Sequence, residues 1–91
     1  MPMHVHPSLV QIRFYEEGVD VSKPLYKMKE KYKGVGNILI DEEGTARVSL
    51  LISKNFTKKD FNAVQDYLKS LEIKKMIYKH KGKINVIELN Y

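Results

Sequence analysis

Residues 36–53 read GNILIDEEGTARVSLLIS, and the register of this stretch decides the fold class. Apolar and polar residues alternate on both sides of Asp41–Gly44, the pattern of two half-buried antiparallel strands joined by a tight turn. A three-residue loop, Glu42-Glu43-Gly44 with Gly44 left-handed, pairs Asp41 with Thr45. Ile40 then faces Ala46 and Ile38 faces Val48 on one apolar side. Leu39 faces Arg47 and Asn37 faces Ser49 on the other. A two-residue loop would set Ile40 against Arg47 and Ile38 against Ser49, because a one-residue slip carries every side chain to the opposite face. The three-residue loop is therefore predicted.

Downstream, the spacing predicts a helix from Thr57 to near Glu72. Thr57 is the cap and Asp60 stands at the third helical position, where a carboxylate closes a capping box. Phe56 and Phe61 flank the cap as a hydrophobic staple. Phe61, Val64, Leu68 and Leu71 form one apolar stripe, with Lys58, Asn62, Gln65, Asp66 and Lys69 on the wet side. A second hairpin follows, Ile73–Lys79 and Lys83–Leu89 around Lys81-Gly82. A two-residue turn sets Lys75 opposite Glu88. A three-residue turn sets Lys74 opposite Glu88 and Met76 opposite Val86. Both give an ion pair and an apolar face, so this register stays open.

Upstream, Val10, Ile12 and Phe14 alternate with Gln11, Arg13 and Tyr15, a half-buried strand ended by Glu16-Glu17-Gly18. Residues 22–33 allow two readings. Ser22 as cap, Pro24 in the first turn and Gly34 as stop favour a helix. As a strand the segment would put Lys27, Lys29, Lys31 and Lys33 on one face, where like charges repel. The order β-α-β-β-α-β-β gives an α+β domain: a small antiparallel sheet with one or two helices on one face, in a ferredoxin-like βαββαβ arrangement with an extra C-terminal strand. With residues 22–33 as strand, the chain is a six-stranded sheet on one helix. Residues 1–7 are expected to form a flexible N-terminal arm, and residues 8–91 a single domain.

Composition narrows the function classes. The absence of cysteine removes disulfides, thiolate metal sites and a cysteine nucleophile, and points to a cytoplasmic home. No apolar run reaches the roughly 18 residues of a membrane span, and the start lacks the apolar core of a signal peptide. Sixteen Lys+Arg against eleven Asp+Glu leave a net charge of +5, and only Arg13 and Arg47 are arginines. Lysine supplies a diffuse field, whereas arginine supplies the planar fork that reads bases and clamps phosphates. The balance suits attraction to something acidic without much sequence reading.

Catalytic and cofactor motifs are missing. Gly34-Val35-Gly36 falls short of a dinucleotide fingerprint, and Asp41-Glu42-Glu43 sits on a solvated hairpin tip rather than around a metal. No cofactor, metal or catalytic site is expected, and the chain is not read as an enzyme. Pro2-Met3-His4 at a free amino terminus has the nitrogen donors of a square-planar Cu(II) or Ni(II) site. The opening Met1-Pro2-Met3 resembles the tautomerase superfamily, whose members use an N-terminal proline amine. Pro7 and a first strand that begins only near Ser8 depart from that pattern, so no residue role is carried over. The sheet layout is similar in topology to RNA-recognition-motif domains, whose third strand carries Gly and paired aromatics. Ala46–Leu51 carries neither.

Positive charge remains the functional signal. Lys74, Lys75, Lys79, Lys81 and Lys83, with His80, crowd the last hairpin, a ribbon suited to a phosphate backbone. Gln11, Arg13 and Tyr15 share a face of the first strand, and Arg47 and Ser49 a face of the third. If those strands adjoin, Tyr15 and the arginines stack bases or hold phosphate. The expectation is a small basic nucleic-acid-binding module that relies on backbone electrostatics and little on sequence. The alternative is a protein–protein interaction or regulatory domain, with an acidic protein as partner or a homodimer through an edge strand.

Overall fold

The computed structural model describes residues 2–52, 56–80 and 82–89. The central hairpin forms as the sequence dictates. Strands β2 (Gly34–Ile40) and β3 (Thr45–Ile52) pair antiparallel, with Ile40 opposite Ala46, Ile38 opposite Val48 and Leu39 opposite Arg47. Gly44 takes φ +87°, the left-handed conformation that closes a three-residue loop without strain. Asp41 locks the turn: its carboxylate accepts from the Glu43 and Thr45 amides at 2.9 and 3.0 Å. Strand β1 (Leu9–Phe14) lies on the free side of β2 in an antiparallel register that sets Ile12 opposite Gly36.

Helix α1 (Lys58–Ser70) starts at a full capping box. The Asp60 amide donates to Thr57 Oγ1 at 3.2 Å, and the Thr57 amide donates to Asp60 Oδ2 at 3.0 Å. α1 packs Val64 and Leu68 onto one face of the sheet, over Phe14, Ile38, Ile40, Ala46, Val48 and Met76. After the helix, Glu72 at φ +59° turns the chain into β4 (Lys75–His80), which runs parallel to β3 with Ala46 opposite Met76. The last strand, β5 (Lys83–Glu88), closes the sheet through the two-residue turn, which sets Lys75 opposite Glu88 and Met76 opposite Ile87. The sheet order is β1-β2-β3-β4-β5.

Two expectations are overturned. Residues 22–33 form neither helix nor strand: one 3₁₀ turn, Leu25–Lys27, interrupts otherwise irregular chain. The segment buries no apolar stripe, since Leu25 is 86% exposed, and a helix of this length without a buried face has little to hold it. Its ends are pinned instead by polar contacts. The Asp20 carboxylate accepts from the Ser22 amide and hydroxyl, and Lys23 pairs with Glu30. The described architecture is α+β with a single helix, so the ferredoxin-like arrangement with its second crossover helix is not formed. The sheet is also mixed, not antiparallel, because α1 serves as the crossover between parallel neighbours β3 and β4.

One buried charge fastens the irregular segment to the helix. Lys33 is 7% exposed. Its amide donates to the Phe14 carbonyl at 2.7 Å, and its Nζ lies 2.7 Å from Asp60 Oδ2. Burial acts to raise the Asp60 carboxyl, but the Lys33 ammonium and the Thr57 amide and hydroxyl outweigh it and hold the group below the usual carboxylate range.

Candidate functional site

Strand alternation puts the helix-packed residues on one face and leaves the other face open. On the open face, register carries a single row across all five strands: Leu9, Leu39, Arg47, Ile77 and Val86. Leu9, Leu39 and Val86 are 66%, 56% and 55% exposed. One residue pair to either side of this row the face is mostly polar, with Ile84, 73% exposed, the apolar exception. Thr45, Lys75 and Glu88 lie level on one side, and Gln11, Asn37 and Ser49 on the other. Lys79, paired with Ile84, completes that side.

Four sequence-predicted cations therefore share the open face: Arg13, Arg47, Lys75 and Lys79. Strand spacing puts the Arg47 Cα roughly 8 Å from those of Lys75 and Lys79, and roughly 17 Å from that of Arg13. Among the described strand residues, Glu88 is the carboxylate on this face, and Asp41 lies at its rim, 3.6 Å from the Arg47 guanidinium. The Thr45 amide, with smaller help from the Glu43 amide and Arg47, holds the Asp41 carboxyl below its ordinary range against a modest desolvation cost. The rim carboxylate thus stays ionised and takes up part of the Arg47 charge.

The remaining predicted residues scatter. Lys83 falls on the helix-side face of β5, level with His80. Lys74 folds over the β2–β3 turn, where its amide donates to the Gly44 carbonyl at 2.9 Å. Its aliphatic stem packs against Gly44 at that turn rather than joining the row of cations on the open face. Lys81 and the His80 side chain lie outside the described residues. The hairpin lysines are thus divided between two faces and a turn. Strands β1 and β3 are not neighbours either: β2 separates them, so Tyr15 and Arg47 do not meet.

Tyr15 finds a different partner. Continuing the β1–β2 register by one residue brings Tyr15 level with Lys33 and beside Tyr32. The Tyr15 and Tyr32 rings stand edge to face at 6.4 Å and 82°. The Arg13 guanidinium lies 5.0 Å from the Tyr32 ring centroid, and its Nε donates to Gln11 Oε1 at 3.1 Å. This corner borders a groove of about 510 Å³, with Gln11, Arg13 and Tyr15 on one wall and Val21, Leu25 and Met28 on the other. A helix over 22–33 would instead set Tyr32 on one face with Leu25 and Met28, at i, i+3 and i+7. The available signal was the alternation Tyr32-Lys33-Gly34 running into β2.

Two other concavities flank the sheet. One, of about 490 Å³, opens between the start of α1 and β4, where Phe61 and Tyr78 meet edge to face at 5.3 Å. The other, of about 550 Å³, lies under the N-terminal arm, with His4 and His6 facing Asp41, Glu42 and Glu72. Among the described residues no cluster of three or more His, Asp or Glu is set to hold a metal ion. No helix among them is long and apolar enough to cross a membrane. Compared with protein-family models, curated proteins and solved structures, the chain matches none.

Proposed function

We propose that the open face of the sheet binds nucleic acid through its phosphate backbone, with little sequence preference. The observation that carries this reading is the gathering of Arg13, Arg47, Lys75 and Lys79 on one uncovered surface against two carboxylates, Glu88 and Asp41. Lysine and arginine that displace condensed counterions supply most of a non-specific affinity, and that affinity is steeply salt-dependent. Polar Asn37, Ser49 and Gln11 add donors to phosphate and sugar.

Fluorescence anisotropy against a labelled oligonucleotide, read over 50–300 mM salt, tests the reading. The triple variant Arg47→Glu, Lys75→Glu, Lys79→Glu should abolish binding at 100 mM salt. Single neutral variants should each flatten the log–log salt slope by about 0.7 to 0.9. Three reversals on the helix, Lys58→Glu, Lys59→Glu and Lys69→Glu, should change affinity far less. Equal losses from both sets would show that net charge, not this face, is responsible, and would refute the assignment.

A second reading rests on exposed Leu9, Leu39 and Val86 with half-buried Ile77 among them, together with the outer edges of β1 and β5, which pair with no described strand. Apolar surface and a free edge suit a protein partner or a second copy of the chain. Sedimentation at high protein concentration distinguishes it: a dimer dispersed by Val86→Lys would favour this reading.

A further inference from the structure

We infer that the Gln11–Arg13–Tyr15–Tyr32 corner is a stacking seat for one unpaired base, so that the open face takes single strands in preference to duplex. The inference rests on the proposed nucleic-acid function and specifies the form of its ligand. Its first support is the state of Arg13. A guanidinium free to clamp phosphate would point away from the protein. Here its Cζ lies over the Tyr32 ring, 5.0 Å from the centroid, and its Nε donates to Gln11. Tyr15, set edge-on to Tyr32, holds that ring in place. The result is a braced planar cation that lines the groove together with Val21, Lys23, Leu25 and Met28. Arginine planes and tyrosine rings stack nucleobases whatever their sequence, because every base presents a π face.

The second support is the geometry of the rest of the surface. Five strands at roughly 4.8 Å spacing make a face about 19 Å wide, which does not enter a major groove about 12 Å across. Duplex could meet this face only by its backbone. It would then lay phosphates over Leu9, Leu39, Ile77 and Val86, an arrangement that desolvates charge without recompense. A single strand can separate the two chemistries, with bases against Leu9, Leu39 and Val86 and phosphates over Lys75 and Lys79, which flank that row. The groove at the Arg13 corner, about 510 Å³, lies within the roughly 300–1,000 Å³ typical of small-ligand sites.

The test compares fluorescein-labelled dT12, rU12 and a 12-base-pair duplex on the full chain, with dT12 carrying abasic sites as a fourth probe. The expected result is at least tenfold tighter binding of dT12 and rU12 than of duplex at 50 mM salt. Abasic substitution should weaken dT12 by a similar factor. Arg13→Lys keeps the charge and removes the plane; it should lower single-strand affinity five- to thirtyfold, leave duplex affinity unchanged, and preserve the salt slope. Tyr32→Leu should act in the same direction, with circular dichroism to verify the fold. Duplex binding as tight as single-strand binding overturns the inference, as does an unaffected Arg13→Lys variant, and both outcomes leave backbone binding by the open face standing. Failure of every probe to bind at 50 mM salt overturns the inference and the proposed function together.

Discussion

Replacing Asp60 with asparagine tests the contact that ties the irregular segment to the helix. The pair is close, 2.7 Å, with Lys33 6% and Asp60 19% exposed at the side chain. At that distance and an effective dielectric constant of about 20, the attraction is about 6 kcal/mol before desolvation is counted. Burial costs several kcal/mol per ion, so the pair as a whole contributes little. Taking away one partner is different. For fully buried pairs that change costs about 3–5 kcal/mol, and the residual water at Asp60 lowers the expectation to about 2–3 kcal/mol. Asparagine can still accept from Thr57, so the cost reports the charge rather than the cap. Lys33→Met keeps the aliphatic stem in place and leaves Asp60 with its Thr57 donors, so it should cost only about 1 kcal/mol. The double variant should be less damaged than the two single costs combined, by about 1–2 kcal/mol of coupling. Urea denaturation followed by circular dichroism measures all three. For a chain of this size each kcal/mol shifts Tm by about 4–8 °C, so Asp60→Asn should melt about 10–20 °C early. Strict additivity of the two substitutions, within about 0.5 kcal/mol, would refute the account of Lys33 as a charge held by Asp60.

Other outcomes follow from neighbouring features. Gly36→Ala should destabilise by about 1–3 kcal/mol, because a Cβ there would sit 2.7 Å from Leu50 Cδ2 and 2.9 Å from Ile12 Cγ1; thermal melting reads it, and an unchanged Tm would mean the two flanking side chains yield freely. Thr57→Ala removes the acceptor for the Asp60 amide and should cost about 1 kcal/mol, visible as a lower urea midpoint with an unchanged m-value. Acid should weaken the fold. Asp20, Glu30, Asp41 and Asp60 are all held below their ordinary values. Such groups contribute stability that is full above about pH 5 and is lost as pH falls through their ordinary and then their lowered values. Tm should therefore hold steady from pH 7 to 5 and drop below pH 4. In Asp60→Asn that drop should be shallower, and an equal drop would place the acid sensitivity elsewhere.

Much of this architecture was legible along the chain wherever a local rule had one solution. The β2–β3 register followed from Gly44 and from the cost of mixing Ile38 and Ile40 with Arg47 and Ser49. The helix followed from Thr57, Asp60 and the stripe through Val64 and Leu68. The last hairpin was not decided locally, because both registers paired a lysine with Glu88. Its register was set when Met76 entered the core opposite Ile87 and β4 aligned with β3. Residues 22–33 misled for a related reason. Ser22, Pro24 and Gly34 are valid helix punctuation, but punctuation contributes only about a kcal/mol at each end, and the segment buries no apolar stripe, with Leu25 86% exposed.

The candidate surface divides the same way. Which side chains of one strand share a face is a property of strand alternation, and so Gln11, Arg13 and Tyr15 could be grouped from the sequence alone. Which strands adjoin is not, because adjacency is a long-range choice made by the packing of the whole sheet on α1. That choice put β2 between β1 and β3, separated Tyr15 from Arg47, brought Arg47 beside Lys75 and Lys79, and delivered Tyr32 to Arg13. By itself the sequence determined the elements with a repeating period and their inner and outer faces. Tertiary structure alone decided which outer faces form one surface, because local periodicity carries no information about neighbours distant in the chain.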